Sequence, residues 1–183
     1  MTKKTIPITG GCLCGAVRYS SDEAPVDVSY CHCRMCQKSC GNPYFLGAFI
    51  SKKSFRFTSG KPKYYKSSGF PESERGFCSD CGTPLIFRDL TDTHAIYIAT
   101  LDHPEEWPPT LCHSGMESKI PWDTISDELP CWETGSDAEF NKSREEYEKL
   151  KALLSEGVLT QDGFDEKLEY LFEFGPKTHS LAT

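Results

Sequence analysis

The sequence lacks any long hydrophobic run. Its longest apolar-rich stretches, residues 44–50 and 95–101, are far shorter than the ~20 residues that a helix needs to cross a bilayer. The opening residues 1–8 also lack the apolar centre of a secretory signal. We therefore expect no membrane anchor and a cytoplasmic location, with the nucleus also compatible.

Positive charge is scarce as well. The chain has 20 Lys and Arg against 27 Asp and Glu, a net charge of −7, which argues against nucleic acid as a partner. Residues 1–70 nevertheless carry 11 basic and 3 acidic residues, and aromatic side chains alternate with basic ones over 52–66. Two interpretations of that stretch remain open: a groove for nucleic acid, or a β-hairpin with a solvated polar face.

Helical periodicity is absent before residue 100. Short β-rich runs separated by Gly and Pro take its place, and residues 67–71 are predicted to form a loop. Many short strands without helices favour a mainly β fold, either an antiparallel β-sandwich or an open barrel. The predicted strands cover 7–9, 17–19, 26–30, 44–50, 55–58, 63–66, 85–88 and 95–99.

The sequence changes character near residues 135–136. Before this point, prolines recur over 101–134 and forbid long elements, and the three tryptophans there are predicted to pack at the edge of the sheet. After it, apolar residues recur at helical spacing in two stripes. We therefore predict a β domain over 6–134, an α-helical hairpin over 136–174 and a tail over 175–183.

Cysteine is abundant, with 10 residues. In a reducing compartment, clustered cysteines are typical metal ligands, and zinc is the usual occupant. Cys31 and Cys33 are two residues apart, so a strand would present both sulfurs on one face, and Cys36 follows at a Cys-x-x-Cys step. Three thiolates leave one position of a tetrahedral zinc open, which distinguishes a catalytic zinc from a structural one.

Two further cysteine pairs are each half of a tetrahedral site. Cys12 and Cys14 lie in a Gly-rich turn, and Cys78 and Cys81 form a Cys-x-x-Cys knuckle ending in Gly. The simplest pairing joins them into one closed, structural four-thiolate zinc. With the three-cysteine cluster, this predicts two zinc ions per chain.

Cys40 allows an alternative for the three-cysteine cluster. Its thiol could fill the fourth position, which would close the site and make the protein a zinc-held scaffold. Cys112 and Cys131 are isolated and are predicted to be small buried side chains. His32 is predicted to face away from the metal, and His113 to be a packing or surface residue. Arg34 and Lys38 are the nearest cations in sequence.

Several of these motifs together resemble the glutathione-dependent formaldehyde-activating enzyme family, which includes centromere protein V. The resemblance covers roughly residues 6–134 and rests on all seven clustered cysteines with their flanking residues. The matching stretches are Gly11-Cys12-Leu13-Cys14-Gly15-Ala16-Val17, Cys31-His32-Cys33-Arg34-Met35-Cys36, Cys78-Ser79-Asp80-Cys81-Gly82, Thr100-Leu101-Asp102, Lys119-Ile120-Pro121-Trp122 and Leu129-Pro130.

The resemblance implies a zinc-centred β fold similar to that of methionine sulfoxide reductase B and carbon–sulfur lyase activity. It implies a catalytic role for Cys31, Cys33 and Cys36 and a structural one for the other four cysteines. The substrates would be glutathione, or another small thiol, and a small aldehyde such as formaldehyde. The alternative is a zinc-stabilised module that binds protein or nucleic acid without catalysis. The hairpin resembles a C-terminal domain of the SHOCT type, which implies a protein contact or homo-oligomer.

Overall fold

The structure, a computed structural model, describes residues 7–67, 70–134 and 138–174. Ten β-strands and three α-helices lie within these residues. The strands are β1 (Ile8–Gly11), β2 (Arg18–Ser21), β3 (Asp27–Cys31), β4 (Phe45–Ser51), β5 (Phe55–Ser59), β6 (Lys63–Ser67), β7 (Phe70–Phe77), β8 (Pro84–Asp89), β9 (Thr93–Tyr97) and β10 (His113–Ser114). The helices are α1 (Arg34–Cys40), α2 (Ala138–Ser155) and α3 (Gln161–Phe174).

The strands form two sheets. A three-stranded sheet has the order β1-β2-β5, and a seven-stranded sheet has the order β10-β3-β4-β9-β8-β7-β6. Every pairing is antiparallel except that of β10 with β3. The prediction of a mainly β fold followed by a pair of helices is therefore confirmed.

One apolar core joins the two sheets. Buried residues of β1 and β2 pack on those of β4, β8 and β9. The fully buried members are Ile8, Tyr19, Ala48, Ile50, Leu85, Ile86 and Ile96. This core holds the strand ends that carry the cysteine clusters.

The prediction of a loop at 67–71 was wrong, because Phe70 and Pro71 begin strand β7, which lies between β6 and β8. The polar sequence of β7 concealed it. Glu74 is buried there, and its charge is compensated by Arg88 on β8, with a carboxylate–guanidinium distance of 2.6 Å. A buried charge is tolerated when it is paired in this way.

The basic stretch 52–66 is not a hairpin, because β5 pairs with β2 and β6 pairs with β7. Three of its six cations make contacts within the protein, and the other three, Lys53, Lys61 and Lys63, are exposed. Lys52 is buried and its Nζ donates to the carbonyl oxygens of Asp89 at 2.7 Å and Leu171 at 2.8 Å. Arg56 pairs with Asp22, and Lys66 pairs with Glu74.

Helices α2 and α3 form an antiparallel pair that packs on the sheet through its own apolar cluster. Helix α2 begins before the capping-box motif at 143–146, and Gly157, with a φ of 72°, lies in the connection. The cluster consists of Leu90, which directly follows β8, with Leu150, Phe164, Leu168, Leu171 and Phe172 from the helices. Arg88 adds an ion pair to Glu169 at 3.0 Å.

The predicted boundary at 135–136 and the predicted tail at 175–183 lie outside the described residues. Within the described residues, none of the helices has the length and apolarity needed to cross a membrane. The tryptophans are only partly as predicted: Trp107 packs against the core, whereas Trp122 is 72% exposed and Trp132 is 39% exposed.

Candidate functional site

Strand β3 and helix α1 place the three-cysteine cluster. Cys31 is the last residue of β3, and Cys33 is the N-cap of α1, where its Sγ accepts a hydrogen bond from the backbone N of Cys36 at 3.4 Å. The chain therefore turns from strand to helix between its first and third cysteines. As a result the sulfurs of Cys31, Cys33 and Cys36 lie within 4.8 Å of one another.

Cys40 does not join this set of mutually close sulfurs. It lies at the end of α1, its Sγ is 3.7 Å from the hydroxyl oxygen of Ser39, and it packs in the apolar cluster of Phe45 and Tyr97. The alternative in which Cys40 closes a four-thiolate site is therefore not favoured by the geometry.

The three clustered thiols are electrostatically coupled. Hydrogen bonds from Cys31 and then from Cys36 lower the pKa of the Cys33 thiol to about 2. The same interaction with Cys33 raises the pKa of Cys31 to about 11, and the pKa of Cys36 is also raised, first by Cys31. Three soft sulfur donors at this separation are a donor set that fits zinc.

The cation beside the cluster is Arg75, on β7. Its Nη2 lies 3.6 Å from the Sγ of Cys36, and its guanidinium lies over the ring of Phe87, 4.8 Å from the centroid. The sequence-based candidates Arg34 and Lys38 are both exposed, and the Arg34 guanidinium donates to the side-chain oxygen of Gln37. Sequence reasoning missed Arg75 because its strand was not recognised.

Tyr97, the last residue of β9, lies on the other side of Arg75. Its hydroxyl oxygen is 3.5 Å from Nη1 of Arg75 and 3.4 Å from the hydroxyl oxygen of Ser39. The ring packs edge-on against Phe45, with centroids 4.7 Å apart. The cluster therefore has one polar wall, formed by Arg75, Tyr97 and Ser39, on an apolar base.

The segment after β10 supports the cluster from outside. Gly115 has a φ of 69°, and a Cβ there would lie 2.5 Å from the backbone N of Cys33, so this position requires glycine. The buried amide of Gln37 donates to the carbonyl oxygens of His32 at 2.6 Å and Ser118 at 2.9 Å. These contacts fix the turn that carries Cys33.

His32 and His113 form a buried chain of hydrogen bonds that leads away from the cysteines. Nε2 of His113 lies 3.0 Å from the carboxylate of Asp127, so it is the donor, and Nδ1 of His113 then accepts from Nε2 of His32 at 2.9 Å. His113 also stacks on Tyr30, with centroids 4.3 Å apart. The imidazole of His32 is thus directed at His113, and His113 is a packing residue.

The other four cysteines also meet. The sulfurs of Cys12, Cys14, Cys78 and Cys81 lie within 4.8 Å of one another and join the turn after β1 to the turn after β7. Two backbone features shape the knuckle: Gly82 has a φ of 73°, and its N donates to the carbonyl oxygen of Cys78 at 2.9 Å. Hydrogen bonding to the Thr83 side chain lowers the pKa of Cys81 to about 6. Four thiols at this separation are a donor set suited to a closed zinc site.

The remaining candidates lie outside both clusters. Cys112 is buried as predicted, whereas Cys131 is exposed, so the prediction for Cys131 was wrong. Its neighbours Pro130 and Trp132 form backbone hydrogen bonds with His113 of β10, and the side chain of Cys131 faces solvent. The Asp102 carboxylate accepts from Arg18 at 3.0 Å and from Thr9 at 2.6 Å, so it serves a structural ion pair.

The fold and the site define a two-sheet β protein that presents two separate groups of clustered thiols suited to metal. Residues 7–114 match the family model described as glutathione-dependent formaldehyde-activating enzyme. Because this match covers more than half of the chain, the protein belongs to that family. The segment 115–118, which supports Cys33, follows directly after the matched residues.

Two individual proteins are similar to this chain. An uncharacterized lyase of Schizosaccharomyces pombe is 35% identical over 78 residues, which are 43% of this chain and 55% of the yeast protein. This chain therefore spans about half the length of that relative. A crystal structure of a Rhodobacter sphaeroides protein is 20% identical with a TM-score of 0.45, covering 67% of this chain and 98% of that one.

Proposed function

We propose that the protein is a zinc-dependent carbon–sulfur lyase that adds the thiol of glutathione, or a similar small thiol, to a small aldehyde and cleaves the resulting adduct. Membership of a family that is zinc-binding in general supports this proposal. So does the name of the yeast relative, a lyase. The observation that carries it is the group of three clustered thiols without Cys40, beside the guanidinium of Arg75.

Two ligand sets belong to the proposal. Cys12, Cys14, Cys78 and Cys81 would hold a structural zinc, and Cys31, Cys33 and Cys36 would hold the catalytic one. When bound at the three cysteines, zinc would act as a Lewis acid that lowers the pKa of an added thiol, which is ~8.5 when free. A four-thiol and a three-thiol set divide these roles as closed and open zinc sites do.

The surrounding residues provide what a reaction of thiolates needs. Three thiolates on one divalent cation leave a net negative charge, and the guanidinium of Arg75, next to Cys36, offsets it. Cys31 and Cys33 are half-buried, so a small thiol can reach them from solvent. The aromatic rings of Phe45 and Phe87 limit water on the inner side.

In the forward reaction, the sulfur of glutathione forms a bond to the carbonyl carbon. The C=O π electrons move to oxygen, which takes up a proton, while the thiol gives one up. In reverse, the hydroxyl loses its proton, the C–S bond breaks and its electron pair returns to sulfur. Because this chemistry needs free thiols, the proposal includes a reducing, cytoplasmic location.

The alternative of a non-catalytic binding module receives less support. Its main basis was the basic and aromatic stretch 52–66. Three of the six cations there, Lys52, Arg56 and Lys66, are engaged within the protein, which leaves only Lys53, Lys61 and Lys63, all exposed, for contact with phosphates. A groove for nucleic acid needs cations that are available to phosphates.

The proposal is tested with Cys33→Ser and the matched control Cys131→Ser, which changes an exposed thiol. We expect two zinc ions per chain in the wild type and the control, and one in Cys33→Ser, by elemental analysis of protein grown with zinc. Exchange NMR of glutathione with formaldehyde should show turnover that only Cys33→Ser loses, with circular dichroism unchanged. Undiminished turnover or zinc content in Cys33→Ser would contradict the proposal.

A further inference from the structure

Arg75 connects the cluster to a tyrosine hydroxyl. One guanidinium nitrogen contacts the Sγ of Cys36 at 3.6 Å, and the other contacts the Tyr97 hydroxyl at 3.5 Å. Among the described residues, no carboxylate forms an ion pair with Arg75. This differs from Arg18 and Arg56, which each bind one carboxylate, and from Arg88, which binds two. A half-buried arginine that contacts the sulfur cluster and a phenol, with no carboxylate to neutralise it, can also stabilise a negative charge that forms on a bound substrate.

Tyr97 is held firmly and keeps its proton. Only 8% of the residue is exposed, the ring is fixed edge-on against Phe45, and burial raises the pKa of the phenol. The hydroxyl of Ser39 lies 3.4 Å away, and Ser39 is half-buried, so it can pass a proton to or from solvent. These contacts form a short path from the interior of the site to its surface.

Other groups that could move a proton near the cluster are engaged elsewhere. His32 donates into His113, which donates to Asp127, so both imidazole protons point away from the sulfurs. The carboxylate of Glu117, on the segment that supports Cys33, accepts from the backbone N of Thr134 at 3.0 Å. Tyr97 therefore stands out among the described residues as a proton donor within reach of the guanidinium that contacts the sulfur cluster.

We propose that Tyr97 is the catalytic acid and base for the oxygen of the aldehyde adduct, and that Arg75 stabilises the negative charge on that oxygen. This inference rests on the proposed function. During addition, the carbonyl oxygen gains the electron pair of the broken π bond and takes the phenolic proton, and Ser39 returns a proton to the phenolate. The proton that the thiol releases to solvent balances the proton that Ser39 takes up from solvent. During cleavage, the same steps run backwards. Tyr97 first passes its proton through Ser39 to solvent, and the phenolate then takes the hydroxyl proton of the adduct. The C=O bond re-forms, and the C–S electron pair leaves with sulfur, which takes up a proton.

The first test compares Tyr97→Phe with Tyr19→Phe in the zinc-loaded protein. Tyr19 is the matched control, because it is equally buried and its hydroxyl bonds to Thr100 at 2.7 Å in the core. We expect Tyr97→Phe to lower kcat by about 100-fold or more, the usual contribution of a general acid or base. Zinc content, and the Kd for glutathione measured by calorimetry, should stay within about twofold. Tyr19→Phe should keep its kcat per folded molecule.

The second test compares Arg75→Gln with Arg75→Lys. The loss of charge in Arg75→Gln should lower kcat/KM by about tenfold or more, and Arg75→Lys should restore part of it, because a cation contacting the oxygen is retained. A kcat above half of the wild-type value in Tyr97→Phe, or a matching loss in Tyr19→Phe, would overturn the inference and leave the proposed function intact. Absence of turnover in the wild type would overturn both.

Discussion

Replacement of Phe172 by Ala tests how the helical pair is attached to the sheet. Phe172 is fully buried at 0% exposure, in the cluster that contains Leu90, which directly follows β8. Removing a buried phenylalanine costs about 3–5 kcal/mol in transfer and cavity free energy. Lys66 and Arg88 also lie 5.0 and 5.1 Å from the ring centroid, and each such contact adds about 0.5–1 kcal/mol. We therefore expect the free energy of unfolding to fall by about 4–7 kcal/mol.

Urea unfolding followed by two probes can test this expectation. Tryptophan fluorescence reports only on the β part, since all three tryptophans precede residue 135, whereas circular dichroism at 222 nm reports mainly on the helices. Lys52 and Arg88 connect the sheet to α3, so both probes should give one shared transition, shifted equally in Phe172→Ala.

Phe174→Ala is the matched control, because Phe174 lies on the same helix but is 51% exposed. It should cost less than about 1 kcal/mol. A circular dichroism transition that shifts while the fluorescence transition stays in place would refute the reasoning, since the helices would then be stabilised independently of the sheet.

Three further outcomes follow from the structure. Gly115→Ala combines a φ of 69° with a Cβ that would lie 2.5 Å from the Cys33 backbone, so it should cost about 2–4 kcal/mol in urea unfolding and reduce turnover. Gly41→Ala, with a φ of 62° and open space, should cost only about 1 kcal/mol. Burial lowers the pKa of Lys52 from 10.5 to about 8, so the unfolded state binds more protons between these values. The free energy of unfolding should therefore rise with pH between these two values, and Lys52→Met should lack this rise. The same pH dependence in the wild type and in Lys52→Met would contradict the reasoning. Cys78→Ser should lose one zinc per chain and more than about 3 kcal/mol of stability, a modest part of the ~10–16 kcal/mol of a structural zinc site; unchanged unfolding would contradict a structural role.

Local patterns predicted most of the fold. The strands before residue 67, together with β8 and β9, were recognisable because β-rich runs lie between Gly and Pro turns. The two-residue strand β10 was not predicted, and helix α1 contradicts the expectation that no helix lies before residue 100. Strand β7 was not recognisable, since three consecutive buried positions in it, Glu72, Ser73 and Glu74, are polar. A buried carboxylate such as that of Glu74 is stable only when a distant residue, here Arg88, supplies the opposite charge. Spacing within the strand carries no information about that partner.

The cysteine clusters were visible in the sequence because metal-ligand spacing is a local property. The polar wall was not visible, because Arg75 and Tyr97 reach Cys36 only through the strand order β4-β9-β8-β7. Arg34 and Lys38 are near in sequence but lie on exposed positions of α1. Residues that a sheet brings together from separate strands can be assigned only when the pairing of those strands is known.

The C-terminal end of helix α3 is capped by Lys52, a residue of the turn between β4 and β5. The last carbonyl groups of a helix have no partners within it, and the ammonium of Lys52 binds one of them, that of Leu171, at 2.8 Å. A positive charge at this end also offsets the helix dipole, which is worth about 0.3–1 kcal/mol. A synthetic peptide of residues 138–174 would lack this cap and its apolar support, so its helicity in water would fall well below that in the whole chain.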